Sequence, residues 1–321
     1  GNYWDTWLVP DEDLDGIVDI PYSIPYGLHG VVDHFPLTAK PWPPVKIDCD
    51  EDFLRTLCVL VGNGSNENPF LIENLRINGS GYGYCIYIGN TSMHFLVQNC
   101  TLVYGNDMGG IILYNVRNGN LSGNTIRACE NGIYLLFSTS NQIERNKVNC
   151  SAVGLRLYLS DANRIERNSF SENLYGVYLW LGRENTIRAN AIGENAEMGV
   201  ALYSAITNTI SENNISHNGQ GIYMYYSCQN VVDRNSFIEN MGYGAYLDFG
   251  SKSNIIKNNI FMGNNKGGLQ HYDVENANSW VETNRWLANT VTGVNETGNF
   301  VFAVLIVILV LAWRRKFESN L

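Results

Sequence analysis

Between residues 141 and 261 the chain repeats one pattern. An asparagine is followed two positions later by a large apolar residue, and the same pair returns five positions on. It appears as Asn141 and Ile143 with Asn146 and Val148, Asn163 and Ile165 with Asn168 and Phe170, and Asn185 and Ile187 with Asn190 and Ile192. It continues as Asn208 and Ile210 with Asn213 and Ile215, Asn230 and Val232 with Asn235 and Phe237, and Asn254 and Ile256 with Asn259 and Phe261. Weaker copies run back through Leu121, Val97 and Ile72, so that positions 72, 97, 121, 143, 165, 187, 210, 232 and 256 lie 22 to 25 residues apart. A second element keeps the same step: glycine, a small or aliphatic residue, any residue, then leucine or methionine. It begins at Gly110, Gly132, Gly154, Gly176, Gly199, Gly221 and Gly244, with Cys85 in this place in the first copy. A fixed step of this length marks a solenoid.

Each repeat therefore holds three short stretches with apolar residues at alternate positions, which is the strand signal. Five positions separate Ile143 from Val148, and an odd gap cannot continue a period of two, so the chain bends there. Three strands and three bends in about 22 residues make one triangular coil, and stacked coils pair each strand in parallel with its counterpart one turn away. The pattern predicts an all-β fold, a right-handed parallel β-helix over residues 70–290. An α-helical solenoid of this step fails, because so much Asn, Gly and β-branched content leaves no helix of useful length. The second asparagines of the repeats (Asn124, Asn146, Asn168, Asn190, Asn213, Asn235 and Asn259) sit at a bend. Seven copies in register predict a stacked amide ladder, structural and not catalytic.

Beyond the repeats, 291–299 reads as a stalk and 300–316 as a transmembrane helix. Residues 300–313 are uncharged and Arg314, Arg315 and Lys316 follow at once. The run is short of the usual span of about 20 residues, but it lengthens if counted from Thr297, and basic side chains snorkel. The basic cluster places the tail, 317–321, in the cytoplasm and the β-helix outside, at the cell surface or in the periplasm. Eight N-x-S/T sites fit that side. Residues 43–69 read as a linker and N-terminal cap, covering the open strand edges with an amphipathic stretch around Asp52-Phe53-Leu54-Arg55.

Residues 1–42 lack the repeat. Within them Asp11, Asp13, Asp15 and Asp19, with Gly16 at the sixth position, match the spacing of a calcium loop, although Tyr22 stands where a bidentate Glu belongs. A structural calcium ion is the expected cofactor; an acidic solvated turn is the competing reading. The start at Gly1 leads us to expect a piece of a longer protein. The net charge of −10 argues against nucleic acid. None of the seven cysteines forms a C-x-x-C pair, which disfavours zinc ribbons and redox sites. Cys49 and Cys58, in a non-repetitive segment, are the candidates for a disulfide.

The repeats resemble the NosD-type β-helix proteins, a branch of the carbohydrate-binding and sugar-hydrolase β-helix group. Gly1-Asn-Tyr-Trp4, the Asp11–Asp19 run and Val32-Asp-His-Phe-Pro-Leu37 are similar to a segment that closes such a helix. Gly62-Asn-Gly-Ser65 with Asn68-Pro-Phe-Leu-Ile72 is similar to one that opens it. The resemblance implies that 1–42 is the tail of a preceding β-helix domain. It also implies a link to maturation of a copper enzyme, which the five scattered histidines do not support.

Two outward columns of the glycine-bearing strands are aromatic. One holds Tyr87, Ile112, Tyr134, Arg156, Tyr178, Ala201, Tyr223, Tyr246 and Gln270; the other holds Tyr114, Leu136, Tyr158, Trp180, Tyr203, Tyr225, Asp248 and Tyr272. Stacked rings stabilise cross-strand pairs, yet a patch this large also suits a ligand. The ligand-binding residues expected are Tyr134, Tyr158, Tyr178, Trp180, Tyr203, Tyr223 and Tyr225, taking a polysaccharide or a surface protein. Asp161, Asp248 and Asp273 are too dispersed for an evident catalytic pair. The primary expectation is a non-catalytic, membrane-anchored surface protein. The alternative is a carbohydrate-active enzyme (polysaccharide lyase, epimerase or glycosidase), and copper-enzyme maturation comes third.

Overall fold

The computed structural model describes residues 17–18, 22–23, 32–33, 41–59, 61–271, 280–282 and 284–287. The strands from Val45–Ile47 to Arg285–Leu287 form a parallel β-solenoid of three ten-stranded sheets, and Tyr22–Ser23 pairs antiparallel with Val32–Asp33. The first sheet carries the glycine-bearing strands and runs from Val45–Ile47 to Gly267–His271. The second runs from Phe70–Glu73 to Trp280–Glu282, and the third from Arg76–Asn78 to Arg285–Leu287. One coil shows the plan: Asn131–Leu136 in the first sheet, Gln142–Glu144 in the second, Lys147–Asn149 in the third.

Inward residues meet their own kind across the coils. Ile143 lies opposite Ile165, then Ile187, Ile210, Val232 and Ile256. Leu135, Leu157, Leu179, Leu202, Met224 and Leu247 do the same in the first sheet, and every one of these side chains is buried. The glycine at the second position of each such strand is a matter of space. A Cβ on Gly132 would lie 2.1 Å from Val148 Cγ1 and 2.7 Å from the Gly154 carbonyl oxygen. The inner residue of the third sheet occupies the place a side chain would take.

The coil turns at four left-handed positions rather than the three bends expected. In the coil above they are Phe137, Ser140, Arg145 and Cys150, with φ of 53, 57, 54 and 52°. Such a conformation costs an L-residue roughly 1 kcal/mol or more. Each is followed by a buried polar residue, here Ser138, Asn141, Asn146 and Ser151. The side-chain oxygen of that residue accepts the backbone N–H of its counterpart in the preceding coil. Asn168 shows the scheme in full. Its Oδ1 accepts from the Asn146 N–H at 2.9 Å and from Asn146 Nδ2 at 3.0 Å. Its Nδ2 donates to the Ile143 carbonyl at 2.9 Å and to Asn190 Oδ1 at 3.0 Å. The expected ladder from Asn124 to Asn259 is present. Two more run beside it, through Asn141 to Asn254 and through Asn173 to Asn264.

The first sheet begins at Val45–Ile47, inside the segment read as linker and cap, with Val45 opposite Ile86. A one-turn helix, Asp50–Phe53, closes the core: Phe53 stacks on Phe70 with centroids 4.6 Å apart, while Leu54 and Leu57 remain exposed. Ile17 is buried against Val103 and Tyr104, and the Trp42 N–H donates to the Arg76 carbonyl at 2.6 Å. All seven cysteines are free thiols, so the Cys49–Cys58 bond is not formed. Among the described residues no helix is long and apolar enough to cross a membrane. The segment 300–316 expected to do so lies outside the described residues, as do Asp11, Asp13, Asp15 and Asp19 of the expected calcium loop.

Candidate functional site: an aromatic face on the first sheet

The two outward columns fall in the register expected. Tyr134 lies opposite Arg156, then Tyr178, Ala201, Tyr223 and Tyr246. Tyr114, Leu136, Tyr158, Trp180, Tyr203 and Tyr225 form the second column. Large side chains one strand spacing apart must tilt or stack, and these do both. Tyr158 meets Trp180 edge-on at 5.2 Å, and Tyr178 stacks on Tyr203 at 5.1 Å and 24°. From Tyr203 the contacts pass to Tyr223 and Tyr225, and from Tyr223 to Tyr246.

The rings therefore cover one another. Tyr158, Tyr178, Trp180, Tyr203, Tyr223 and Tyr225 are half-buried. Tyr134 is 2% exposed and cannot offer its ring to a ligand, a correction to the sequence reading. The exposed rings stand at the corner that closes the strand: Phe137, Tyr226 and Phe249 are 45, 47 and 47% accessible, with Leu159 and Leu181 between them at 37%. Phe137 bridges Tyr114 and Tyr158, and Tyr226 bridges Tyr225 and Phe249. Sequence reasoning missed this ridge, because it considered only the strand columns. Its signal was an apolar residue directly after the second column in five of the coils.

The polar groups on this face are few. Asp248, 6% exposed, accepts the Tyr223 hydroxyl at 2.5 Å and the Phe249 N–H at 2.7 Å. Burial, and then the bond to this carboxylate, pushes the Tyr223 hydroxyl well up from the ordinary phenol value. Burial likewise raises Tyr203, and takes Tyr134 and Tyr178 up to about 12 against the opposing Arg156 charge. These phenols are neutral hydrogen-bond donors at neutral pH, unsuited to act as tyrosinate bases. Arg156 lies between two rings, its Cζ 5.8 Å from the Tyr134 centroid and 5.5 Å from that of Tyr178. Asp161 is remote in role: its carboxylate accepts the Arg183 N–H at 2.7 Å. Asp273 lies outside the described residues.

Among the described residues no three His, Cys, Asp or Glu side chains gather to hold an ion. His217 is engaged with Glu239 at 2.9 Å, and Cys58, Cys85, Cys100 and Cys129 are buried in the core or its corners. The described donor set does not fit copper.

Three parallel sheets, inward aliphatic columns and asparagine corners define the class of right-handed parallel β-helices, and residues 144–286 match the family described as right handed beta helix region. Residues 61–190 match the periplasmic copper-binding protein (NosD) family, and the two matches together with the parallel β-solenoid support the NosD-type β-helix family. No curated protein matches it. Among solved structures it is similar to a variant of the periplasmic alginate epimerase AlgG, at TM-score 0.54 and 19% identity. That match covers 72% of this chain and 57% of the epimerase, so the chain spans little more than half of that protein's length. The A-module of a mannuronan C-5 epimerase from Azotobacter vinelandii follows at TM-score 0.51 and 13% identity, covering 70% of this chain and 81% of the module. The enzymatically active domain of tailspike protein 2 of bacteriophage CBA120 gives TM-score 0.51 and 14% identity, covering 73% of this chain and 42% of that one. At these identities the likeness is one of fold.

Proposed function

We propose that this chain is a non-catalytic β-helix, displayed outside a membrane and anchored through residues 300–316, that binds a polysaccharide along the first sheet and its corner ridge. The observation that carries the reading is a pair of aromatic clusters, Tyr114 to Trp180 and Tyr178 to Phe249, that together span successive coils and present exposed rings at one corner. Coils repeat at about 4.8 Å, close to the length of one sugar unit, so successive rings can follow successive units of an extended glycan. Tyrosine supplies apolar faces to sugar C–H groups and hydroxyls for hydrogen bonds, and the raised phenols stay protonated donors. The polysaccharide-active proteins among the fold neighbours support this class of ligand.

The test is calorimetric binding to a polysaccharide panel by the chain and by a Tyr178→Ser, Trp180→Ser, Tyr225→Ser variant. Loss of binding, with less loss of stability than a core charge causes, is the expected result. Full retention of binding by a folded triple variant overturns the reading. The second reading, a carbohydrate-active enzyme, draws on the buried Asp248 carboxylate beside Tyr223. New reducing ends or unsaturated uronates appearing in the same incubations would establish it in place of the first.

A further inference from the structure

Arg156 differs from the ion-paired arginines of the second sheet and its corner. On the second sheet Arg164 meets Glu166 at 2.9 Å, Arg188 meets Glu212 at 2.9 Å, and Arg234 meets Asp233 at 3.2 Å. Arg156, on the aromatic face, makes no ion pair among the described residues. Its Nε is buried without a hydrogen-bond partner. Its guanidinium lies between the rings of Tyr134 and Tyr178, with Cζ 5.8 and 5.5 Å from their centroids. Such stacking satisfies the faces of the cation and leaves its in-plane donors unused. A guanidinium placed between rings gives up less side-chain freedom on binding, and its terminal Nη donors match a carboxylate in two parallel hydrogen bonds.

We infer that Arg156 is a carboxylate subsite within the aromatic face, selecting a glycan that carries uronic-acid units. The inference rests on the glycan reading above and specifies its ligand. Trp180, on the next coil, would pack against the sugar ring whose carboxylate Arg156 holds. The net charge of −10 does not oppose this at close range. The Debye length is about 8 Å at physiological ionic strength, so distant carboxylates are screened while a contact pair is not. On this face the Asp248 carboxylate is already taken up by Tyr223 and Phe249.

The experiment compares binding of the intact chain to oligogalacturonate and oligomannuronate with binding to the carboxyl-reduced, neutral form of each. At least one acidic oligomer should bind about tenfold or more tightly than its neutral form, the usual range for a charge-assisted pair. Arg156→Gln should abolish that preference, and Arg156→Lys should restore part of it. Equal affinity of the unaltered chain for acidic and neutral forms of both sugars overturns the subsite while leaving the glycan reading in place. Undiminished preference in Arg156→Gln also overturns it. Failure of all four oligomers and of the wider panel overturns the glycan reading and the subsite together. The comparison of ligands on the unaltered chain decides the question even if Arg156→Gln does not fold.

Discussion

The asparagine corners and the outward face of the first sheet are laid down by the same repeat but use it in opposite ways. At the corner one residue recurs unchanged through Asn146, Asn168, Asn190, Asn213 and Asn235, because every copy meets the same need. An N–H turned along the solenoid axis by a left-handed residue must be accepted by the next coil. On the face, Tyr134, Arg156, Tyr178, Ala201, Tyr223 and Tyr246 follow one another in a column equally strict in register. Nothing in the backbone demands those identities. A repeat position that never varies reports a demand of the fold; a position that varies among large aromatic and cationic residues is open to demands from outside it.

The largest effect expected comes from the core that both regions share. Ile187→Asp places an unpaired carboxylate at a fully buried site between Ile165 and Ile210. A loss of about 5 kcal/mol or more is expected, enough to unfold the neighbouring coils. Hydrogen exchange would show protection lost first in those coils; unchanged protection would break the case that this column is the core. Asn168→Leu comes next. It keeps the volume but strips acceptors from the Asn146 N–H and Nδ2 and a donor from the Ile143 carbonyl. Leaving buried groups unpaired should cost about 3 kcal/mol in denaturant unfolding. A loss below about 1 kcal/mol would mean the corner asparagines are turn formers and no ladder.

How far each region could be read from the sequence follows from the same contrast. The Asn124–Asn259 ladder was legible because identity and spacing repeat together. The ladder through Asn173, Asn195, Asn218, Asn240 and Asn264 keeps the same step and was overlooked, being set among loop residues without the apolar partner two positions on. The left-handed corners left no compositional trace, since Phe137, Arg145, Leu159 and Glu212 all occupy them. Alternation located both columns of the aromatic face, but period two tells which side a residue faces and not what its neighbours cover. Tyr134 is buried for that reason, and Phe137 and Tyr226, one step past the strand, stand in the open. The strand Val45–Ile47 was unreadable because it joins the first sheet from outside the repeat.

Alkaline pH should separate the regions, since the ladders contain nothing that titrates. Tyr134 and Tyr178 ionise near 12 in the fold, above the ordinary value of about 10. The stability they contribute is whole below about pH 10 and declines as pH rises toward their folded value. A loss of about 2 kcal/mol near pH 11 is expected from the pair. Urea unfolding across this range, followed alongside tyrosinate absorbance, measures it. Tyr178→Phe should make the decline shallower. A flat profile to pH 11 would show that these phenols are freely hydrated and the face is looser than described.

The smallest effect on stability, and the sharpest test of the contrast, lies where corner and face meet. Phe137 and Tyr226 hold left-handed conformations, with φ of 53 and 48°, in which bulky residues are uncommon and asparagine is at home. Their rings are nearly half exposed, so replacement forfeits two edge-on contacts each but little buried area. Phe137→Asn and Tyr226→Asn should therefore each relieve about as much backbone strain as they lose in ring contacts, leaving stability within about 0.5 kcal/mol of the original. If the ridge serves a ligand, the same substitutions should weaken polysaccharide binding several-fold. A corner that keeps an unfavourable aromatic for no gain in stability keeps it for what it touches. A destabilisation above about 2 kcal/mol with binding intact would place these rings with the asparagines, as parts of the fold alone.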